Sequence, residues 1–287
     1  MDKLVEKAYG KINLSLDVTG RRNDGYHLVR MIMQTVDICD ILTIEKVSDG
    51  SISMTTDDRN LPVGDDNLCI KAAKLLKNEF GFSEGVKIHL EKNIPVAAGM
   101  AGGSTDAAAV LKGLNQMFGL GLSQSELMER GLLLGADIPF CIMGGTALSE
   151  GIGEELTALS PMPKVDVLIA KPPVDVSTKD VYQALDSLES YEHPDIDQMI
   201  SAIEKCDIEG VCDAMGNVLA DVTMPRVPLI KEIRDTMVAF GATGAMMTGS
   251  GPTVFGIFED RDDFEECFEH LKEKNICEKL YKSALCS

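Results

Sequence analysis

The stretch Pro95-Val-Ala-Ala-Gly-Met-Ala-Gly-Gly-Ser-Thr-Asp-Ala-Ala-Ala109 constrains this chain more than any other. Before it, Val86, Ile88 and Leu90 alternate with Lys87, His89 and Glu91, the period of a half-buried strand; after it, Ala107, Leu111, Leu114 and Phe118 repeat at helical spacing. A strand must therefore pass into a helix through a run of small residues. Glycine in such a run admits positive φ and close approach of the backbone to a ligand. The helix beyond offers unpaired N–H groups and a partial positive charge to an anion. Ser104 and Thr105 add hydroxyls where phosphate oxygens, or a magnesium ion bound to them, would lie. An ordinary capped helix after a flexible turn is the plainer alternative. No Gly-Lys-[Ser/Thr] closes the loop and no G-x-G-x-x-G is present, so neither a Walker A loop nor a dinucleotide-binding fingerprint is written here.

The same two periods recur along the chain. Ile12, Leu14, Leu16 and Val18 predict a strand, as do Ile52 with Met54, Val165–Ala170 and Thr253–Phe258. Helical stripes are predicted at Leu68, Ala72, Leu75, Leu76 and Phe80, at Val181, Leu185 and Leu188, at Ile230, Ile233, Met237 and Phe240, and at Phe264, Phe268 and Leu271. Ser123 with Glu126 three residues on reads as a capping box. The pattern breaks at Ser160-Pro-Met-Pro163, a plausible linker, giving two α+β domains, 1–160 and 161–287.

Charge and cysteine usage limit what such a chain can do. With 46 acidic against 27 basic residues the net charge is −19, which argues against a polyanion-binding surface, because nucleic-acid binding rests on Lys and Arg releasing counterions. A small phosphorylated ligand held by backbone N–H groups stays open. No run of about 18 apolar residues predicts a membrane span, and the first residues lack a signal peptide's apolar core. Eight scattered cysteines without a C-x-x-C pair read as reduced, structural thiols of a cytoplasmic protein, a monomer or homodimer.

Three further segments carry candidate chemistry. Gly10-Lys11-Ile-Asn13 puts Lys11 and Asn13 on one strand face; an exposed edge strand would give the same spacing. Downstream, Asn23-Asp-Gly25 is a turn signal that sets Tyr26 and His27 after a hairpin tip. Met247-Thr-Gly249-Ser250-Gly251-Pro252 permits close backbone approach, or is simply a tight turn. In Gly135-Ala-Asp137-Ile-Pro139 a lone carboxylate stands among Leu and Ile, where it is functional, paired or a helix cap.

Taken in order, Gly10–Asn13, the Pro95–Ala109 loop and Thr248–Pro252 resemble the three motifs of the GHMP small-molecule kinases. Asp24-Gly-Tyr-His27 and Gly135–Pro139 resemble the branch of that superfamily that phosphorylates a cytidine-diphosphate-linked sugar alcohol. The resemblance runs from about Ala8 to Phe258. It implies an α+β, two-domain fold, ribosomal-protein-S5-like then ferredoxin-like, with the active site in the cleft between those domains. Its cofactors would be ATP and Mg2+, its other partner the cytidine-linked alcohol. Asp137 would be the catalytic base and Lys11 its partner. Pro95, Val96, Ala97, Ala98, Gly99, Met100, Ala101, Gly102, Gly103, Ser104 and Thr105 would wrap the ATP phosphates, Ser104 near Mg2+, and Asn67 would touch adenine. Asn13, Tyr26, His27, Tyr182, Gly249, Ser250 and Gly251 would hold the substrate, with His27 reading the cytosine edge and Tyr182 giving a stacking face. The loop reads Ala97-Ala98 and Met100-Ala101 where a Gly-Leu-Gly style is also common in the family, and Thr105 stands where Ser is frequent, which bears on the loop's shape. A homoserine- or mevalonate-type kinase is the nearest alternative, and a non-catalytic nucleotide sensor a more distant one.

Overall fold

The computed structural model describes residues 2–286. In chain order its first elements are β1 (Lys3–Arg21), β2 (His27–Val47), β3 (Ile52–Thr56), α1 (Leu68–Phe80), β4 (Gly85–Glu91), α2 (Gly102–Phe118), α3 (Gln124–Leu132) and α4 (Ile138–Met143). Then follow β5 (Thr146–Glu150), β6 (Glu155–Ala158), β7 (Asp166–Lys171), α5 (Thr178–Leu185), α6 (Ile196–Glu204), α7 (Ile208–Asp213) and β8 (Gly216–Asn217). The chain closes with α8 (Ala220–Arg226), α9 (Pro228–Ala239), β9 (Gly244–Met247), β10 (Val254–Phe258), α10 (Arg261–Lys274) and β11 (Lys279–Ala284).

Two compact units emerge, and they interleave along the chain. The first comprises the chain up to Gly10, Ile38–Val96 and Ala101–Gly144; the second comprises Lys11–Asp37, Ala97–Met100 and everything from Gly145 on. The break at Ser160–Pro163 is an irregular connection from β6 to β7, inside the second unit.

In the first unit the strand order is β3-β4-β2-β1, with Leu42 opposite Leu90, Ile44 opposite Ile88, and Met54 beside Ile88. The alternating residues of these strands form one apolar core with Cys69, Ile70, Ala73 and Leu76 of α1 and Ala107, Val110, Leu111 and Leu114 of α2. Helix α2 comes close to the sheet because position 113 is glycine: a Cβ there would stand 2.9 Å from Ile44 Cδ1. The capping box forms, Ser123 taking the Glu126 N–H while Glu126 accepts from the Ser123 amide. Phe80, expected inward, is the last residue of α1 and is exposed.

In the second unit β11-β7-β10-β9 make an antiparallel sheet packed by α9 and α10. Taking β7, α9, β9, β10, α10 and β11 in turn gives a βαββαβ path with the first strand between the last and the third, the ferredoxin-like arrangement. Phe255, Ile257, Ile233, Met237, Phe264 and Leu271 fill its core. The helical stripe predicted through Leu188 stops at Leu185, where Asp186 caps α5, and Leu188 is exposed. Phe240 likewise lies beyond α9, half-buried against the His270 ring. Here too β5 pairs with β2 and β6, and β8 with β1.

Cys69, Cys212 and Cys267 are buried, and desolvation pushes the thiols of Cys212 and Cys267 up to about 12, so they are protonated packing groups. Among the described residues no helix is long and apolar enough to cross a membrane.

Candidate active site

Within the second unit the three motifs meet through their backbones. Lys11 and Asn13 are both buried on β1, and Lys11 Nζ donates to Asn13 Oδ1 at 2.7 Å, so the face is not an exposed edge. Lys11 donates its own N–H to the Met100 carbonyl, and Asn13 donates its N–H to Thr248 Oγ1 at 2.9 Å. The loop tip then lies directly on the third motif. A Cβ at Gly99 would sit 2.5 Å from the Thr248 carbonyl oxygen, and one at Gly249 would sit 3.0 Å from the Gly99 oxygen. Both glycines also have positive φ, so two separate requirements select glycine there. Asn217 holds the third motif from the other side, donating to the carbonyls of Met247 and Gly249 at 2.8 Å each. Thr178 Oγ1 pairs with Ser250 Oγ at 2.8 Å. Thr248 belongs to the third motif itself, whereas Asn217 carries no signal in the sequence.

The pyrimidine-reading candidates form a second group in this unit. His27 Nε2 lies 2.7 Å from Asp186 Oδ1, and its ring centroid lies 4.7 Å from that of Tyr182, tilted by 33°. Arg21 Nη1 donates to the other carboxylate oxygen of Asp186 at 3.0 Å. Val18, Arg21, His27, Asp186 and Tyr191 line a cavity of about 260 Å³. Tyr26, by contrast, is exposed near the hairpin tip, where its carbonyl accepts from the Arg22 N–H. Asp186 escaped the sequence reading, although it stands four residues after Tyr182 and hence on the same helical face.

The first unit holds the remaining candidates. Ala101 precedes α2 in the left-handed region at φ 58°, and no side chain caps that helix. Among the described residues the N–H groups of Gly102, Gly103 and Ser104 find no acceptor, which leaves them for an anion. In the second unit the N–H groups of Ala97, Ala98, Gly99 and Met100 are equally uncommitted among the described residues. In each unit, free amides of small residues suit an anion such as a phosphate. Thr105 is different: its hydroxyl donates to the Tyr9 carbonyl at 2.7 Å and its N–H to Ala101, so both its donors are occupied. Asn67 caps α1, accepting from the Cys69 N–H at 2.8 Å and donating to the Pro62 carbonyl at 2.8 Å. Asp137 occupies the cap position of α4 but makes no capping bond, and its half-exposed carboxylate has no partner among the described residues. The cap reading of Asp137 therefore falls. No group of three or more His, Cys, Asp or Glu suited to a metal occurs among the described residues.

A buried ionic group that the sequence did not announce lies in the same unit. Lys92 Nζ bonds to Asp40 Oδ2 and, at 3.1 Å, to Asp106 Oδ2. Burial opposes the Lys92 charge, but the carboxylates of Asp106 and Asp40 outweigh it and hold its pKa above the usual lysine value. Desolvation pushes Asp106 up to about 8, with Lys92 pulling it down and Asp40 adding to the rise.

Known proteins resemble this chain over most of its length. Residues 67–145 match the model "GHMP kinases N terminal domain" and residues 199–277 match "GHMP kinases C terminal". A protein of Caldicellulosiruptor saccharolyticus named 4-diphosphocytidyl-2-C-methyl-D-erythritol kinase is 53% identical over 94% of this chain and 93% of its own. The chain belongs to the GHMP kinase family. It is accordingly an ATP-dependent small-molecule kinase with the α+β, two-domain GHMP fold, as expected from its motifs. A crystal structure of 4-(cytidine 5'-diphospho)-2C-methyl-D-erythritol kinase superposes on this GHMP kinase with a TM-score of 0.84 at 31% identity, covering 99% of this chain and 100% of that one. A homoserine kinase from Cytophaga hutchinsonii, at 18% identity and a TM-score of 0.79 over 99% and 95% of the two chains, shares the fold.

Proposed function

We propose that this kinase transfers the γ-phosphoryl group of ATP to the 2-hydroxyl of 4-diphosphocytidyl-2-C-methyl-D-erythritol, giving the 2-phosphate and ADP, in the non-mevalonate route to isoprenoid precursors. The observation that carries the reading is the identity of 53% over nearly the whole chain with a protein of that name. The His27–Tyr182–Asp186 group supports it, since a homoserine or mevalonate substrate has no base for an oriented imidazole to read.

The roles follow from the chemistry of each group. Asp137 takes the proton of the 2-hydroxyl as its oxygen attacks the γ-phosphorus and the bond to the ADP oxygen breaks. A carboxylate with no hydrogen-bond partner of its own is free to do so. Lys11, fixed by Asn13, supplies positive charge that stabilises charge developing on the phosphoryl oxygens. The amides of the 95–105 loop cradle the phosphates; Thr105 contributes through its place in the turn, its hydroxyl being spent on Tyr9. Mg2+ carried on the phosphates, with Ser104 beside it, would offset their negative charge. His27 reads the cytosine edge, Tyr182 stacks, and Asn67 borders the adenine. The functional domains are taken as 1–160 and 161–287, the compartment as the cytoplasm, and the assembly as a monomer or homodimer.

The deciding experiment is ADP release from ATP and Mg2+ with the cytidyl compound, homoserine and mevalonate in parallel. Turnover with the cytidyl compound alone is expected. Turnover with homoserine or mevalonate instead would discard the pyrimidine site while leaving the kinase chemistry in place.

A further inference from the structure

We infer that Lys92, Asp40 and Asp106 form a buried clamp across the neck of the glycine-rich loop, and that they act as positioning residues for nucleotide binding. The inference rests on the loop being the phosphate cradle. Asp40 Oδ1, on β2, accepts from the N–H groups of Asn93 and Ile94 at 2.6 and 2.8 Å, and so grips the chain just before Pro95. Lys92 bonds to the other oxygen of Asp40 and reaches Asp106 at 3.1 Å, in the first turns of α2 just after the loop. One carboxylate therefore holds the entry, and one ammonium ties that carboxylate to the exit. The ammonium also lies against the first helical residue: a Cβ at Gly102 would stand 3.2 Å from Lys92 Nζ.

A role in stability alone is a poor explanation of this group. All three side chains are almost wholly buried, and buried ion pairs are commonly replaced by apolar residues with no loss of stability. The surroundings suit an apolar residue, with Ala107, Ala108, Ala109 and Cys69 all in the core. What the ionic group adds over such packing is direction. Its hydrogen bonds fix the two ends of the loop at set distances, and preorganised amides bind an anion more tightly than mobile ones.

The test compares K92M, D106L and D106N in the full-length protein. Each is assayed for KM and kcat with both substrates, for ADP affinity by calorimetry and for thermal stability. K92M and D106L are expected to raise the KM for ATP and the Kd for ADP at least about tenfold, while the KM for the cytidyl substrate stays within about twofold and stability holds. D106N keeps the shape and an oxygen that can accept from Lys92, and should recover most of the ATP affinity. Unchanged ATP affinity in K92M, or equal losses for both substrates with a fall in stability, would overturn the clamp. Should K92M and D106L not fold, hydrogen exchange of the 95–105 peptide in D106N and wild type decides: D106N is expected to match wild type, and faster exchange together with wild-type ADP affinity overturns the proposal. The cradle reading fails separately if ADP leaves exchange in that peptide of the wild type unchanged.

Discussion

His27 Nε2 lies 2.7 Å from Asp186 Oδ1, and this bond fixes which edge of the imidazole is left for a ligand. With Nε2 tied to a carboxylate that Arg21 also holds, Nδ1 is the atom that the proposed function assigns to a pyrimidine. Removing the carboxylate frees the ring to turn on Tyr182. Asp186→Ala is expected to raise the KM for the cytidyl substrate about tenfold or more, the scale of a lost hydrogen bond to a charged group, and to leave the KM for ATP nearly unchanged. Steady-state kinetics with each substrate varied in turn measures both; matching losses would mean that Asp186 supports the fold and not the ring.

Among the described residues Asp137 has no partner that would explain it as a structural residue, so its removal should be felt in chemistry alone. Asp137→Asn keeps the shape and is expected to lower kcat by about 10²–10⁴-fold, the usual range for a general base. ADP binding by calorimetry should stay within about threefold of wild type. A variant retaining wild-type turnover would remove Asp137 as the base.

Gly99 and Ala101 make opposite predictions four positions from the loop's start and just before α2. At Gly99 a Cβ would meet the Thr248 carbonyl at 2.5 Å, so Gly99→Ala forces the loop off the third motif. The expected cost is about 1–3 kcal/mol, as for other overpacked sites, with loss of ATP affinity. Ala101 already carries a Cβ in the left-handed region, at φ 58°, which costs about 1–2 kcal/mol relative to glycine. Ala101→Gly should therefore raise stability in urea unfolding by up to about 1 kcal/mol, the greater freedom of the unfolded chain offsetting part of the relief. Ala97, at φ 51°, stands in the same region. Both alanines hold a strained conformation, a feature typical of functional segments.

The sequence was legible where one period dominates. The alternation around Ile88 and the helical stripe from Ala107 located both flanks of the loop, and Ser123 with Glu126 marked a helix start to the residue. Long-range pairing left no such trace. Nothing in Lys92, Asp40 or Asp106 singles them out until the strands bring positions 40, 92 and 106 together. Amphipathic spacing also overran helix ends at Leu188 and Phe240, because a stripe records which side of the chain is apolar and not where the backbone stops coiling. Asn67 and Thr105 look like ligand groups by position, yet each spends its side chain on the backbone of its own unit.

Asp106 gives a pH dependence whose sign is fixed by its burial. Desolvation raises it to about 8 in the folded protein, against 3.8 for the free side chain. Between those values the folded state keeps a proton that the unfolded state has released. Unfolding then releases protons, and the free energy of unfolding falls as pH rises. The contribution is complete below about pH 4, declines through neutrality, and is spent once the folded carboxyl ionises near about pH 8. Asp106→Asn does not titrate and lacks this slope. Urea unfolding of both proteins between about pH 5 and about pH 9 should show wild type losing stability relative to the variant as pH increases. A difference independent of pH would mean that Asp106 is ionised throughout, with the Lys92 charge outweighing its burial.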